Sequence, residues 1–365
     1  MIASFQGILV TLLCLGVLIA IHESGHFLAA KSIKVPVRQF AIGFGPRIFG
    51  FTWGETECRL NWIPLGGYCA FVDDERGEDG EPLADVSDEM LLRNRPIWQR
   101  TWVVSAGVIF NFVSAWLILF GSNLGLGVPT GHQTVAIKDV LPNTAAAAVG
   151  LKAGDRITAV EHQPVKDFMG FRGRLADFKQ KPVVIGIVRD GKPQDVTVTP
   201  DAKGLIGFKP SVGDERRPVT GPIEAVTMAT TQQIETTGML CSALYQLFTS
   251  PGSMMDKTGG PVQIVAMGDQ IYQDDPWKLL TFAVLLSIEL AIINLLPLPA
   301  LDGGHLVLLL LEKLRGRALP RMIEEKILVF GFVMIMGLGM LLIVKDIFTV
   351  PGMYHQPVPS ATPSK

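Results

Sequence analysis

Residues 5–31 read FQGILVTLLCLGVLIAIHESGHFLAAK, an apolar run with one polar cluster, His22, Glu23 and His26, near its end. About 20 helical residues cross a bilayer core of about 30 Å, so the run is long enough to span. Its apolar core is like that of a secretory leader, but no basic residue precedes it, there is no A-x-A cleavage pattern, and it leads straight into the polar cluster. It is expected to be a retained membrane helix. Ionisable side chains inside a span are costly and functional by default, so this helix is expected to be more than an anchor.

Three more runs have the length and apolarity of spans: 101–124, 279–296 and 327–344. They account for a chain of 365 residues that is 48% hydrophobic and only 18% charged. A mean hydropathy of +0.35 is too apolar for an ordinary soluble domain. The expected fold class is a polytopic α-helical membrane protein of about four transmembrane helices, with the lipid bilayer as its surroundings. A net charge of −2 points to no nucleic-acid partner. Cys14, Cys58, Cys69 and Cys241 lack CxxC spacing and read as free thiols, a Cys58–Cys69 bridge across a hairpin being the one alternative.

Basic residues orient the spans. The connection after the third run holds Lys313, Arg315, Arg317, Arg321 and Lys326, which places it in the cytoplasm and both termini outside. The 31–100 connection is then cytoplasmic too. It carries nine basic and eleven acidic residues, and acidic residues count little in this rule. Within it, 37–44, 47–52, 58–63 and 68–72 are short, β-rich and separated by Gly and Pro, as in a small sheet at the membrane surface, and 73–89 is an acidic, solvated loop.

The section between the second and third spans faces the non-cytoplasmic side. In it 134–140, 155–161, 183–189 and 194–199 read as strands, 167–178 as a helix and Asp190-Gly191 as a hairpin turn, together one compact α+β domain. Residues 222–247 and 262–272 are candidate amphipathic or linker helices. The expected division is 1–125 for the N-terminal membrane part, 126–212 for the inserted domain, 213–276 for a linker, 277–350 for the C-terminal membrane part and 351–365 for a tail.

The cluster on the first span is an HExxH motif. Histidines four apart lie on one helix face, so both imidazoles can reach one Zn²⁺, and Glu23 between them is placed to work on a water at that ion. Two ligands do not complete a catalytic zinc site, which takes three from the protein. The third span offers the next. It ends Asn294-Leu295-Leu296-Pro297-Leu298-Pro299-Ala300-Leu301-Asp302-Gly303-Gly304. Pro297 and Pro299 each remove an amide donor and break the helix, exposing backbone that is tolerated at membrane depth only where it lines a cavity or is buried in protein. Asp302, just past the break, is the candidate third ligand of one Zn²⁺ per chain. A transporter or metal sensor could use the same three ligands, but it has no need of Glu23, whereas a hydrolase needs a base.

An HExGH on the first span, NxxPxPxLDG on a late span and a soluble insert between spans together resemble the site-2 protease family of intramembrane zinc metalloproteases, in its bacterial and plastid branch. The stretches Gly107-Val108-Ile109-Phe110-Asn111-Phe112 and Gly260-Pro261-Val262 are also similar to family patterns, so the resemblance covers nearly the whole chain. It implies His22, His26 and Asp302 as zinc ligands, Glu23 as the catalytic glutamate, and Asn294, Pro297 and Pro299 as the substrate-binding stretch, Asn294 holding an unwound substrate segment, with a helix-to-helix hydrogen bond as the other reading of Asn294. It also implies regulated intramembrane proteolysis of single-span membrane proteins, such as anti-sigma factors or residual signal peptides, in a bacterial inner or a plastid membrane. Residues 149–157, VGLKAGDRI, resemble the GLxxGDxI signature of PDZ domains, which bind peptide termini by strand addition. Well-known Gram-negative members carry two such domains in tandem; one is found here.

Overall fold

The computed structural model describes residues 4–72, 87–250 and 259–354. The acidic stretch 73–86 and the tail from 355 lie outside the described residues. The chain divides into two compact units, one built from the described parts of Met1–Gly121 and Val226–Gln356, the other from Ser122–Ala225.

The first unit is built on helix α1, Phe5–Ser32, which opens with the Ser4 hydroxyl accepting from Gly7 N at 2.9 Å and ends at Ile33, after which Lys34 takes a positive φ and Val35 precedes Pro36. Its buried residues include Thr11, Leu18, His22, Gly25 and Ala29, spaced three to seven apart on one stripe. The histidines therefore sit on the face that packs against protein. Helix α2, Ile97–Leu126, approaches that face closely. A Cβ on Gly25 would lie 2.5 Å from the Ala106 carbonyl oxygen and 2.9 Å from Gly107 Cα, so only glycine permits the contact.

Two continuous strands follow α1, β1 (Val37–Trp53) and β2 (Thr56–Phe71), joined through Gly54 at φ +63. Four separate strands were expected. The chain instead bends without breaking, because Gly43 and Gly45 adopt positive φ ahead of Pro46. The expected segments still pair laterally: Gln39–Ile42 meets Gly67–Ala70 on one edge and Glu57–Leu60 on the other, and Phe49–Thr52 adds outside Glu57–Leu60. Short 3₁₀ turns at Asp88–Met90 and Leu92–Asn94 lead into α2, so the end of the expected loop is ordered as a turn. All four cysteines are free, and the Cys58–Cys69 alternative is not formed.

The rest of this unit is helical: α5 (Pro222–Thr249), α6 (Pro261–Asp274), α7 (Lys278–Asn294), α8 (Asp302–Arg315) and α9 (Arg321–Tyr354). Among the described residues, four helices are long and apolar enough to cross a membrane, Phe5–Ser32, Ile97–Leu126, Lys278–Leu295 and Arg321–Val350. α9 runs on to Tyr354, past the expected start of the tail at residue 351. α8 was not foreseen: the stretch after the break, read as a polar connection, winds into a helix stopped by Gly316 in the left-handed region. α6 is fastened by two buried carboxylates. Asp346 of α9 accepts from Gly260 N and Gln263 N at 3.0 and 2.9 Å, and Asp269 accepts from Ser4 N ahead of α1.

The second unit is a β-sheet with two short helices. Its elements are β3 (Val128–Val140), α3 (Ala145–Ala148), β4 (Arg156–Val160), β5 (Gln163–Pro164), α4 (Phe168–Ala176), β6 (Val183–Arg189), β7 (Lys192–Val198) and β8 (Phe208–Arg217). The strand order is β7-β6-β4-β3-β8, with β5 paired to β4. Alternate residues Val135, Ile137, Ile157, Ile185 and Ile187 point into one core with Phe171. Asp190 and Gly191 both take positive φ, the geometry of a two-residue hairpin turn. β8 and α3 escape a reading of sequence pattern, β8 because it is a charged edge strand with Pro210 in it, α3 because it is one turn long.

Asp155, expected only as part of a tight turn, is buried and accepts from Arg189 Nε and Nη2 at 2.7 and 2.6 Å and from Lys152 N at 2.8 Å. The Arg189 guanidinium holds its carboxyl below the ordinary range. Because the folded value lies below the unfolded one, the contribution is fully present above about pH 4 and is lost as pH falls through the depressed value. Asp155→Ala should destabilise this unit by about 2 kcal/mol, a low figure for a buried pair because the Arg189 side chain is 24% exposed. Hydrogen exchange of Ser122–Ala225 in the intact protein reads this directly; unchanged protection at neutral pH would contradict it.

Candidate metal centre and the helix break

α1 supplies His22, Glu23 and His26, and the end of α7 supplies Asn294. Asp302 stands in the first turn of α8, where a carboxylate is favoured by the helix dipole. The break between α7 and α8 brings it back to α1. Ala300 takes φ +70, and α8 then folds tightly onto the broken segment. A Cβ on Gly303 would lie 2.5 Å from the carbonyl carbon of Leu295, and one on Gly304 2.8 Å from that of Leu298. The glycine pair is therefore what allows α8 to start beside the chain it has just left.

Three ligand atoms converge. His22 Nε2 and His26 Nε2 are 3.2 Å apart, and Asp302 Oδ2 lies 3.3 Å from the first and 3.4 Å from the second. Both histidines are buried, and Asp302 Oδ2 is buried with no hydrogen-bond partner. A tetrahedral zinc with bonds of about 2.0–2.2 Å holds its ligand atoms about 3.3–3.6 Å apart, so the spacing and the two-nitrogen, one-oxygen donor set fit that ion. Among the described residues this is the one group of three such side chains close enough to hold a metal. A buried carboxylate oxygen with no protein partner fits the role of a cation ligand.

The surroundings fix the two rings. The carbonyl of Val103 on α2 takes the proton of His26 Nδ1 at 2.8 Å, leaving His26 Nε2 with its lone pair toward the cluster. Gly107 gives the rings room: a Cβ there would collide with His26 Nε2 and lie 2.7 Å from His22 Cε1. On the other side β2 passes directly over Glu23. A Cβ on Gly67 would lie 3.0 Å from Glu23 Cγ, and the Cys69 amide donates to the Glu23 carboxylate. Asn294 Nδ2 lies 3.4 Å from His22 Nε2, at the cluster itself.

The structure thus brings His22, Glu23, His26, Asn294 and Asp302 around one cavity of about 980 Å³. The Pro297 and Pro299 rings do not line it. Pro299 instead packs on Gly331 of α9, and both prolines act where they stand by keeping the chain between α7 and α8 unwound. The rim, missed by sequence reading, includes Arg100, whose guanidinium meets both oxygens of Glu312 on α8 at 2.8 Å, and His305 one turn after Asp302. Nothing in the spacing could have paired Arg100 with Glu312; His305 could have been found, since i and i+3 share a helix face.

Comparison with known proteins agrees with this chemistry. The model of peptidase family M50 matches residues 10–338. A Nostoc sp. protein named as a candidate zinc metalloprotease is 37% identical over 353 residues, covering 93% of this chain and 96% of that one. The chloroplastic membrane metalloprotease ARASP of Arabidopsis thaliana is 38% identical over 360 residues, covering 94% and 79%. The regulator of sigma-W protease RasP of Bacillus subtilis is 28% identical over 414 residues, covering 91% and 96%.

Proposed function

The chain belongs to peptidase family M50 and is a membrane zinc metalloprotease, and from that premise we propose that it hydrolyses peptide bonds within the membrane-spanning segments of other proteins. The observation that carries the reading is the convergence of His22 Nε2, His26 Nε2 and the unpartnered Asp302 Oδ2 between helices long enough to cross a bilayer. These three residues would hold the zinc. When bound, zinc is a Lewis acid that brings the pKa of water from about 15.7 to about 7 and polarises a carbonyl.

The chain's own residues do the rest. Glu23 takes the proton of the attacking water and returns one to the leaving amine, held in place by the Cys69 amide. A substrate helix hides its carbonyls in its own hydrogen bonds, so it must unwind to be cut. Asn294 can both donate to and accept from an unwound backbone, and Pro297 and Pro299 keep the neighbouring segment from winding into a helix. The Tyr68–Phe71 part of β2, beside Glu23, would receive the substrate as an added strand. Proline substitutions in this strand that leave cleavage unchanged would count against that step.

The sheet unit would act as a PDZ-like peptide-binding domain, its Gly154 turn at φ +94 matching the signature stretch. The basic connections support a topology with it and both termini on the non-cytoplasmic side and the β1–β2 sheet at the cytoplasmic membrane surface. The regulator of sigma-W and the chloroplastic relative support a bacterial inner or a plastid membrane, and the family resemblance implies single-span substrates such as anti-sigma factors or residual signal peptides.

Zinc analysis tests the reading. Wild type purified in detergent should carry about one zinc per chain, and His22→Ala and Asp302→Ala should each lose it. Asn294→Ala should keep the zinc and lose about 10–100-fold in kcat/KM, the worth of one or two hydrogen bonds at the site. Folded wild type without zinc, or Asp302→Ala with full zinc, would overturn the ligand set.

A further inference from the structure

We propose that Asn111 is a positioning residue for the metal centre: its carboxamide oxygen accepts the Nδ1 proton of His22 and so fixes the tautomer and ring plane that turn His22 Nε2 toward the zinc. The inference rests on the reading of His22 as a zinc ligand.

Asn111 lies on α2, fully buried, with its amide 3.1 Å from His22 Nδ1. Its backbone is pinned: Ser287 of α7 and Ser114 both donate to its carbonyl at 2.9 Å. Side-chain oxygen and nitrogen of an asparagine are not distinguished by shape, so the assignment must come from the partners. As drawn, the amide nitrogen faces His22, and the other end of the amide, Oδ1, is buried without a partner. The His22 side decides the matter. Its Nε2 faces Asp302 Oδ2 and His26 Nε2, which makes Nε2 the ligand atom and requires a lone pair there. A neutral imidazole then carries its proton on Nδ1 and needs an acceptor. Only the oxygen of Asn111 can serve, so the amide is turned end for end.

His26 supports this independently. Its Nδ1 faces the Val103 carbonyl, which can only accept, so the same tautomer is imposed on it by the same helix. α2 thus presents one acceptor to each histidine, Val103 and Asn111, two turns apart, with Gly107 midway giving both rings their space. Nothing in the HExxH spacing requires an asparagine here, and a leucine would fill the same volume.

The test compares zinc dissociation constants by chelator competition, and the absorption of the cobalt-substituted protein, for wild type, Asn111→Ala and Asn111→Asp. Loss of the acceptor in Asn111→Ala should weaken zinc by about 10–100-fold. Asn111→Asp keeps an acceptor oxygen in the same place, so it should hold zinc within about threefold of wild type and shift the cobalt bands, because a carboxylate makes the imidazole more basic. Wild-type affinity in Asn111→Ala would overturn the proposal. So would equal loss in both variants, which would mean that the site needs an asparagine for packing or as a donor. Absence of zinc from folded wild type would remove the ligand reading and this inference together, whereas zinc-loaded wild type with indifferent variants would remove this inference alone.

Discussion

Glu23→Gln is expected to lower the cleavage rate of a membrane-spanning peptide by about 10²–10⁴-fold, the usual worth of a general acid–base group, while the zinc content stays at the wild-type level. Glutamine has the same shape, and its carbonyl oxygen can still accept from the Cys69 amide, so the side chain stays where it is. What it loses is the ability to take a proton. Glu23 is not among the three side chains that converge closely enough to hold a metal, which is why zinc should be spared. A transporter or a metal sensor built on the same ligands would not notice the change. Measured rates and metal content of the two proteins separate these readings, and a Glu23→Gln protein that cleaves at the wild-type rate would mean that another group acts as base.

The second large effect is steric. Gly107→Val places a branched side chain where both imidazoles stand, with His26 Nε2 and the carbons of both rings inside contact distance of its Cβ. The rings cannot retreat, since His26 is tied to Val103 and α1 is already in contact with Ala106 through Gly25. The helices must part or the ligands must turn. Zinc affinity should fall by about 100-fold and cleavage with it. The chain should still fold and enter the membrane, because α2 loses none of its apolarity. Chelator competition on the detergent-purified protein reads this effect, and a Gly107→Val protein that binds zinc as wild type does would contradict the packing of α1 against α2.

Which parts of this were legible in sequence follows from the range of the interactions. His22, Glu23 and His26 are read from spacing alone, because a helix repeats every 3.6 residues and their geometry is local. The β-rich segments after α1 were visible as short runs, but their continuity through Gly43 and Gly45 was not, since a glycine before a proline serves a bend as well as an end. Asp302 was visible only through the proline break that precedes it. That it begins a helix was not, because α8 owes its place to glycines packing on carbonyls up to eight residues back. The stretch holding Asn111 was noticed, but the pairing of groups across the fold left no signal: Val103 and Asn111 meet histidines 77 and 89 positions away, and Arg100 meets a glutamate 212 positions away. In the sheet unit the Gly154-Asp155 turn was legible, yet Arg189, the partner that justifies burying Asp155, was not.

Cleavage inside the membrane span and by the metal sets this reading apart from every other. Its most direct test is to reconstitute wild type in lipid vesicles with a single-span peptide, map the cut by mass spectrometry, and repeat with a zinc chelator and after zinc is restored. Cuts within the apolar segment are expected, abolished by the chelator and recovered with zinc. Cuts confined to the flanks outside the span, or cuts that persist when the metal is gone, would contradict it.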